Sequence, residues 1–116
     1  MTGCAGGLSG GLWAAFVAEL RRGAEFVLDL LGFAERLAAA DVVVTGEGRI
    51  DSQSLEGKIV GQIAARCSAA GRPLHVVVGQ DGLDHATAAA AGITSITEAG
   101  ELATLRDVGR RLAAPQ

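Results

Sequence analysis

The run from Val42 to Lys58, VVVTGEGRIDSQSLEGK, concentrates the polar chemistry of this chain. Gly46 and Gly48 allow backbone N–H groups to approach an anion closely. Arg49 can clamp an oxyanion through two parallel hydrogen bonds. Ser52 and Ser54 can donate hydrogen bonds, and Lys58 falls near the start of a following helix, where an N-terminus favours anions. Glu47 and Asp51 suit a phosphate site if Mg²⁺ lies between them and the anion, or if one accepts a proton from a substrate hydroxyl. The competing reading is structural: Arg49 pairs with Asp51 or Glu47, and the segment is a solvated, capped helix start.

Two common glycine motifs do not account for the segment. A Walker A loop needs Gly-x4-Gly-Lys-Ser/Thr; Gly57-Lys58 is present, but Ser52 holds the first glycine position and Ile59 follows the lysine. The dinucleotide fingerprint needs Gly-x-Gly-x-x-Gly; Gly46 and Gly48 fit, but Asp51 stands third.

The elements around the segment indicate an α/β fold of three-layer type, built on a parallel, flavodoxin-like sheet of about three strands. Val42 to Thr45 is a β-branched run that reads as a strand buried on both faces, with Thr45 to Ser54 as the loop beyond it. Ile59, Val60, Ile63, Ala64 and Cys67 make a helical stripe that ends at Gly71. Leu74 to Val78 is a second strand, Ile93 to Thr97 a weaker third. Between them a short helix is capped by Asp81 or Asp84. Leu102, Leu105, Val108 and Leu112 form a last amphipathic helix with Arg106, Arg110 and Arg111 outside. Strands alternating with helices of this length imply right-handed parallel crossovers. Ligands of such sheets bind beyond the carboxyl ends of the strands.

The first forty residues have no strand. MTGCAGGLSG is a glycine-rich opening. Leu12, Trp13, Phe16, Val17 and Leu20 follow as an apolar stripe, with Ser9 as N-cap, Gly23 ending or kinking the helix, and Trp13 expected in the core. Phe26, Val27, Leu30 and Leu31 share the face of a second helix, and Phe33, Leu37 and Ala38 mark a third. We therefore divide 1–116 into one partial α/β domain: 1–40 a glycine-rich loop with helices, 41–116 a βαβαβα unit.

Composition narrows the function classes. The 116 residues are 49% hydrophobic, with 17 glycines and a formal charge of −3. That is a globular composition. The acidic balance and scarce aromatics argue against nucleic acid as partner. Cys4 and Cys67 are isolated, so two reduced thiols are expected. No signal peptide or membrane span is visible, and a cytoplasmic location is expected. His75, within a strand, reads as a structural histidine and His85 as a surface one.

Several separated motifs occur in the order of a known family. TGEGRIDSQSLEGK closely resembles the TGEG-R-x-D-x-Q-[ST]-x-x-GK segment of bacterial glycerate kinases of the family that includes the glyoxylate- and galactarate-induced enzymes. Upstream, GCAGGLSGG resembles the family's Gly-Ala-Ala-Gly-Gly-Leu stretch, and VLDLLG one of its helices. The resemblance covers Thr2 to roughly Val78. The last third matches weakly, beginning at Gly79-Gln80-Asp81-Gly82, where the family tends to carry a small Gly-Ser-like loop.

The resemblance implies an ATP- and Mg²⁺-dependent kinase acting on D-glycerate, at the 2-hydroxyl, with a cleft between two domains. It implies that this chain corresponds to the C-terminal part of longer proteins, whose N-terminal portion is then an expected partner. Carried onto this sequence, Asp51 and Lys58 are the candidate catalytic residues, and Glu47 with Asp51 the candidate Mg²⁺ ligands. Gly6, Gly7, Thr45, Gly46, Gly48, Arg49, Gln53 and Ser54 are the candidate substrate and phosphate contacts. Plain alternatives stand beside these roles: Asp51 as a helix N-cap, Lys58 pairing with Glu56, Gly6 and Gly7 as a helix-start turn. Two other readings of the whole chain remain, a non-catalytic anion-binding remnant and a flavodoxin-like domain that dimerises through its first forty residues.

Overall fold

A computed structural model describes residues 3–113 of the chain, apart from the Cys4 side chain; the reading of Cys4 as a reduced thiol lies outside the described residues. A 3-10 turn (Cys4–Gly7) leads into three helices: α1 (Leu8–Phe16), α2 (Gly23–Leu30) and α3 (Phe33–Ala39). Then come β1 (Val43–Ile50), α4 (Ser52–Leu55), α5 (Ile59–Ala69), β2 (Leu74–Asp81), α6 (His85–Ala90), β3 (Ser95–Glu98) and α7 (Leu102–Leu112). The strands form one parallel sheet in the order β1-β2-β3. The α/β class and the parallel sheet expected from the alternating pattern are thus present.

The core lies on one face of that sheet. Leu74, Val76 and Val78 of β2 are buried, and they pack with Val60, Ile63, Ala64 and Cys67 of α5 and Ala88 of α6. Val43 and Ile96 extend the same row on the flanking strands. Leu28 of α2 and Leu37 of α3 complete the cluster. An ion pair from Arg66 of α5 to Asp29 of α2 (2.7 Å) and a bond from Arg72 to the Ala38 carbonyl (2.8 Å) hold these helices to the body. Burial pushes the Cys67 thiol above its ordinary value, which suits a packing role. His75 meets Ser95 at 2.6 Å, a structural histidine as expected.

Three expectations need correction. First, β1 does not stop at Thr45. β2 runs alongside it to Asp81, pairing Arg49 with Gln80 and Ile50 with Asp81, and Gly82 N donates to the Ile50 carbonyl at 2.9 Å. A strand ladder needs only backbone partners, so polar and glycine residues join it as readily as valines. Second, β1 is not buried on both faces. It is an edge strand among the described residues, and Val44 is 51% exposed.

Third, Trp13 is not in the core. It is 55% exposed, Phe16 is 75% exposed, and α1 buries no residue. The helix also ends early: Val17 takes φ +54°, a strained conformation for a β-branched residue. Gly7, not Ser9, is the N-cap, and Gly23 begins α2 instead of closing α1. On α2 and beyond, Phe26, Val27, Leu30 and Leu31 are exposed while Leu28 is buried. The chain is elongated in consequence. Its radius of gyration is 16.4 Å, against about 13 Å for a compact domain of this size. A periodic apolar stripe states that a helix has a surface to bury; it does not supply the surface.

Candidate functional site at the carboxyl end of β1

The site begins where β1 loses its alternation. Val43, Thr45 and Glu47 are half-buried and Val44, Gly46 and Gly48 exposed; Arg49 is then exposed too, and Ile50 is fully buried. Asp51 follows in extended conformation and caps the single turn α4. Its Oδ1 accepts from Ser54 N at 3.0 Å and from Ser54 Oγ at 3.1 Å. Ser54 Oγ in turn accepts from Asp51 N at 3.2 Å, closing a capping box. Lys58, the N-cap of α5, reaches Ser54 Oγ with Nζ at 3.5 Å. Arg49 Nε stands 4.0 Å from Asp51 Oδ2, with the arginine side chain 64% exposed. Ser54 is thus the buried centre of a polar cluster that also holds Arg49, Asp51 and Lys58.

The electrostatics follow from these contacts. The Ser54 hydroxyl, the Ser54 N–H, Lys58 and Arg49 together hold the Asp51 carboxyl below the usual carboxylate range. It is therefore ionised at neutral pH. The Asp84 carboxyl at the start of α6 is lowered in the same way, by the Thr87 hydroxyl and N–H.

Of the candidate residues, Arg49, Asp51, Ser54 and Lys58 come together. Glu47 is half-buried, and its Oε1 accepts from the next residue's N–H, Gly48 N, at 3.2 Å. Gln53 is exposed on α4. Thr45 pairs in register with Val76 and Gly46 with Val77, so both sit within the sheet and not beyond it. Gly6 and Gly7 lie in the turn before α1 at φ +65° and +90°, which is the helix-start reading, and that turn packs chiefly on α1.

The structure brings the end of β2 and Glu98 of β3 to the same end of the sheet. Gly79 is at the end of β2, not in a loop, and a Cβ there would stand 2.7 Å from the Gly48 carbonyl. Gly82 closes on the Ile50 carbonyl, 3.0 Å from its own would-be Cβ. Glu98, ending β3, accepts from Asp81 N through Oε1 at 2.6 Å. Ile50 and Asp81 pair in register at the ends of two strands of equal length, so strand order alone could have grouped them; Glu98 pairs with Val78 and reaches Asp81 only through its side chain.

A polyanion fits this donor set. Arg49 and Lys58 are exposed cations, and Gly48 leaves the outer backbone bare. Among the described residues no group of three or more His, Cys, Asp or Glu could hold a metal ion. Mg²⁺ bound with phosphates needs only one or two protein carboxylates, a smaller requirement than such a group. No helix among the described residues is long and apolar enough to cross a membrane.

The chain resembles known proteins along most of its length. The family model described as the glycerate kinase family matches residues 1–110. An uncharacterized protein of Mycobacterium tuberculosis is 42% identical over 101 residues, covering 87% of this chain and 26% of that protein. A glycerate kinase of Haemophilus influenzae is 40% identical over 77 residues, 66% of this chain and 20% of that one. A glycerate 2-kinase of Escherichia coli K12 is 47% identical over 57 residues, 49% of this chain and 15% of that one. A crystal structure of a candidate glycerate kinase 2 from Salmonella typhimurium LT2 superposes with a TM-score of 0.59 at 34% identity, covering 91% of this chain and 28% of that one. The chain thus spans about a quarter or less of the length of the curated relatives named here.

Proposed function

This chain belongs to the glycerate kinase family, and from that premise we propose that it provides the C-terminal part of a cytoplasmic kinase that phosphorylates D-glycerate with ATP at the 2-hydroxyl. The observation that carries the proposal is the Arg49–Asp51–Ser54–Lys58 cluster, built where a parallel sheet offers its ligand site. Phosphoryl transfer needs mainly positioning and charge neutralisation. Arg49 and Lys58 supply cationic donors for phosphate or for the glycerate carboxylate. Ser54 holds Asp51 in one rotamer.

The low-lying carboxyl of Asp51 makes it a weak proton acceptor and a good hard-metal ligand. We therefore assign it to Mg²⁺ rather than to proton abstraction, with Glu47 as the second carboxylate. Bound there, Mg²⁺ would neutralise phosphate charge. Gly48 supports the same reading: its φ is not in the left-handed region, and a Cβ there would meet nothing within 4 Å. Gly48 sits where β1 breaks its alternation and its register, and glycine at such a break also lets a ligand approach the backbone closely.

The expected partner is the N-terminal portion that longer relatives possess. The test supplies that portion of the M. tuberculosis relative as a separate chain and follows ADP release. Turnover that needs D-glycerate and both chains is expected, with phosphorus NMR identifying a 2-phosphate product. No turnover in the reconstituted pair would sink the proposal.

A second reading rests on the exposed apolar residues of α1. They favour an anion-binding module that associates with itself. It predicts a dimer by light scattering, phosphate binding and no turnover.

A further inference from the structure

We infer that Gly61 is a positioning residue, one that sets where the Asp51–Ser54 cap stands relative to Lys58. α4 and α5 are packed against each other, and Gly61 lies in that contact, against the backbone of Leu55. An added Cβ at Gly61 would overlap the Leu55 carbonyl oxygen, with the Leu55 carbonyl carbon at 2.8 Å and its Cα at 3.0 Å. These are backbone atoms, so no side-chain rotation relieves the overlap. Gly61 sits inside a helix, where alanine is the better helix former. The approach of Leu55 is the reason glycine stands there.

The consequence runs straight to the cluster. α4 is one turn of four residues, too short to hold its place by its own hydrogen bonds. Leu55 is its last residue and Ser54, fully buried, the one before. Displacing Leu55 moves Ser54, and Ser54 holds the Asp51 carboxylate and accepts from Lys58. Lys58 lies on the other side of the contact, at the start of α5, three residues before Gly61. The glycine therefore governs the relation between the two elements that carry Asp51 and Lys58. Its functional meaning rests on the kinase reading; its test does not.

That test is amide hydrogen exchange followed by NMR in the full chain, without substrate. In Gly61→Ala the Ser54 N–H, which donates to Asp51 Oδ1, is expected to exchange at least tenfold faster. The Thr87 N–H, which donates to Asp84 Oδ1 on α6, is expected to keep its rate. Gly109→Ala on α7, where an added Cβ meets nothing within 4 Å, should change neither. The inference is overturned if the Ser54 N–H exchanges in Gly61→Ala as in the unsubstituted chain, or if the Thr87 N–H speeds up with it.

Should Gly61→Ala not fold, Gly57→Ala decides by the same two readings. Gly57 turns the chain between α4 and α5 at φ +81° with open space around it. Alanine there strains the connection without filling the contact, and the Ser54 N–H alone should again exchange faster.

Discussion

Ser54 and Asp51 cap each other: Ser54 N and Oγ both donate to Asp51 Oδ1, at 3.0 and 3.1 Å, while Asp51 N donates to Ser54 Oγ at 3.2 Å. The helix-cap reading of Asp51 is met in this arrangement. The residue is a helix cap, and capping leaves it an ionised carboxylate with Oδ2 turned toward Arg49.

Removing the serine hydroxyl separates the two roles. Ser54→Ala should lower stability by about 1 kcal/mol, the net worth of a typical hydrogen bond. The Asp51 carboxyl should rise toward its ordinary value. Urea denaturation reads the first effect and carboxyl NMR the second. A carboxyl that stays low in Ser54→Ala would mean that the residue-54 N–H, Lys58 and Arg49, not the Ser54 hydroxyl, hold it.

The pH dependence of stability has a definite sign. Asp51 and Asp84 both have folded values below their unfolded ones. Their contribution is present above the unfolded carboxylate value of about 3.9, and it is lost as pH falls through the folded values. The urea midpoint should therefore drop as pH falls below about 4. It should drop less steeply in Ser54→Ala/Thr87→Ala, where both carboxyls sit nearer their unfolded values. An equal slope in the two proteins would contradict this.

Two neighbouring glycines should respond in opposite ways. Gly48→Ala places its Cβ in open space at an ordinary φ, so stability should hold or rise by about 0.4–1 kcal/mol. Turnover in the reconstituted pair should fall at least tenfold if a phosphate lies against this backbone. Gly79→Ala would push a Cβ to 2.7 Å from the Gly48 carbonyl and should cost about 1–3 kcal/mol, in the range of overpacking. Thermal melts of both variants beside the activity assay check the pair. Full activity in Gly48→Ala would remove the glycine from the site.

The exposed helix offers a prediction about association. Trp13→Ser and Phe16→Ser remove side chains that are 55% and 75% exposed, so each should change the chain's own stability by less than about 0.5 kcal/mol. Both should weaken its capture of the N-terminal portion. By contrast Leu74→Ala, at a fully buried position, should cost roughly 2–5 kcal/mol. A large stability loss from Trp13→Ser would show that α1 is packed after all.

Local chemistry made part of this molecule legible before any coordinates. The valine run before Gly46 marks a strand, and Leu74 to Val78 marks the next. Of the two caps the sequence allowed for α6, Asp81 and Asp84, the structure has Asp84, accepting from Thr87 N at 2.9 Å. The last amphipathic helix buries Val108 and exposes its arginines. These features depend on contacts within a few residues or on the period of one element.

The polar cluster was legible as a group of residues, because order along the chain places it at the end of a strand. Tertiary structure decided its geometry. Whether TGEGRI is loop or strand depends on what lies beside it, and only β2 running on to Asp81 makes it a strand. Whether Trp13 is core depends on what stands opposite α1. The need for glycine at 61 depends on the Leu55 carbonyl of another helix. By itself the sequence determined the α/β alternation, the family and the chemical inventory of the site. The folded chain decided which of those groups touch, because side-chain periodicity records an element's own preference and not the presence of a partner.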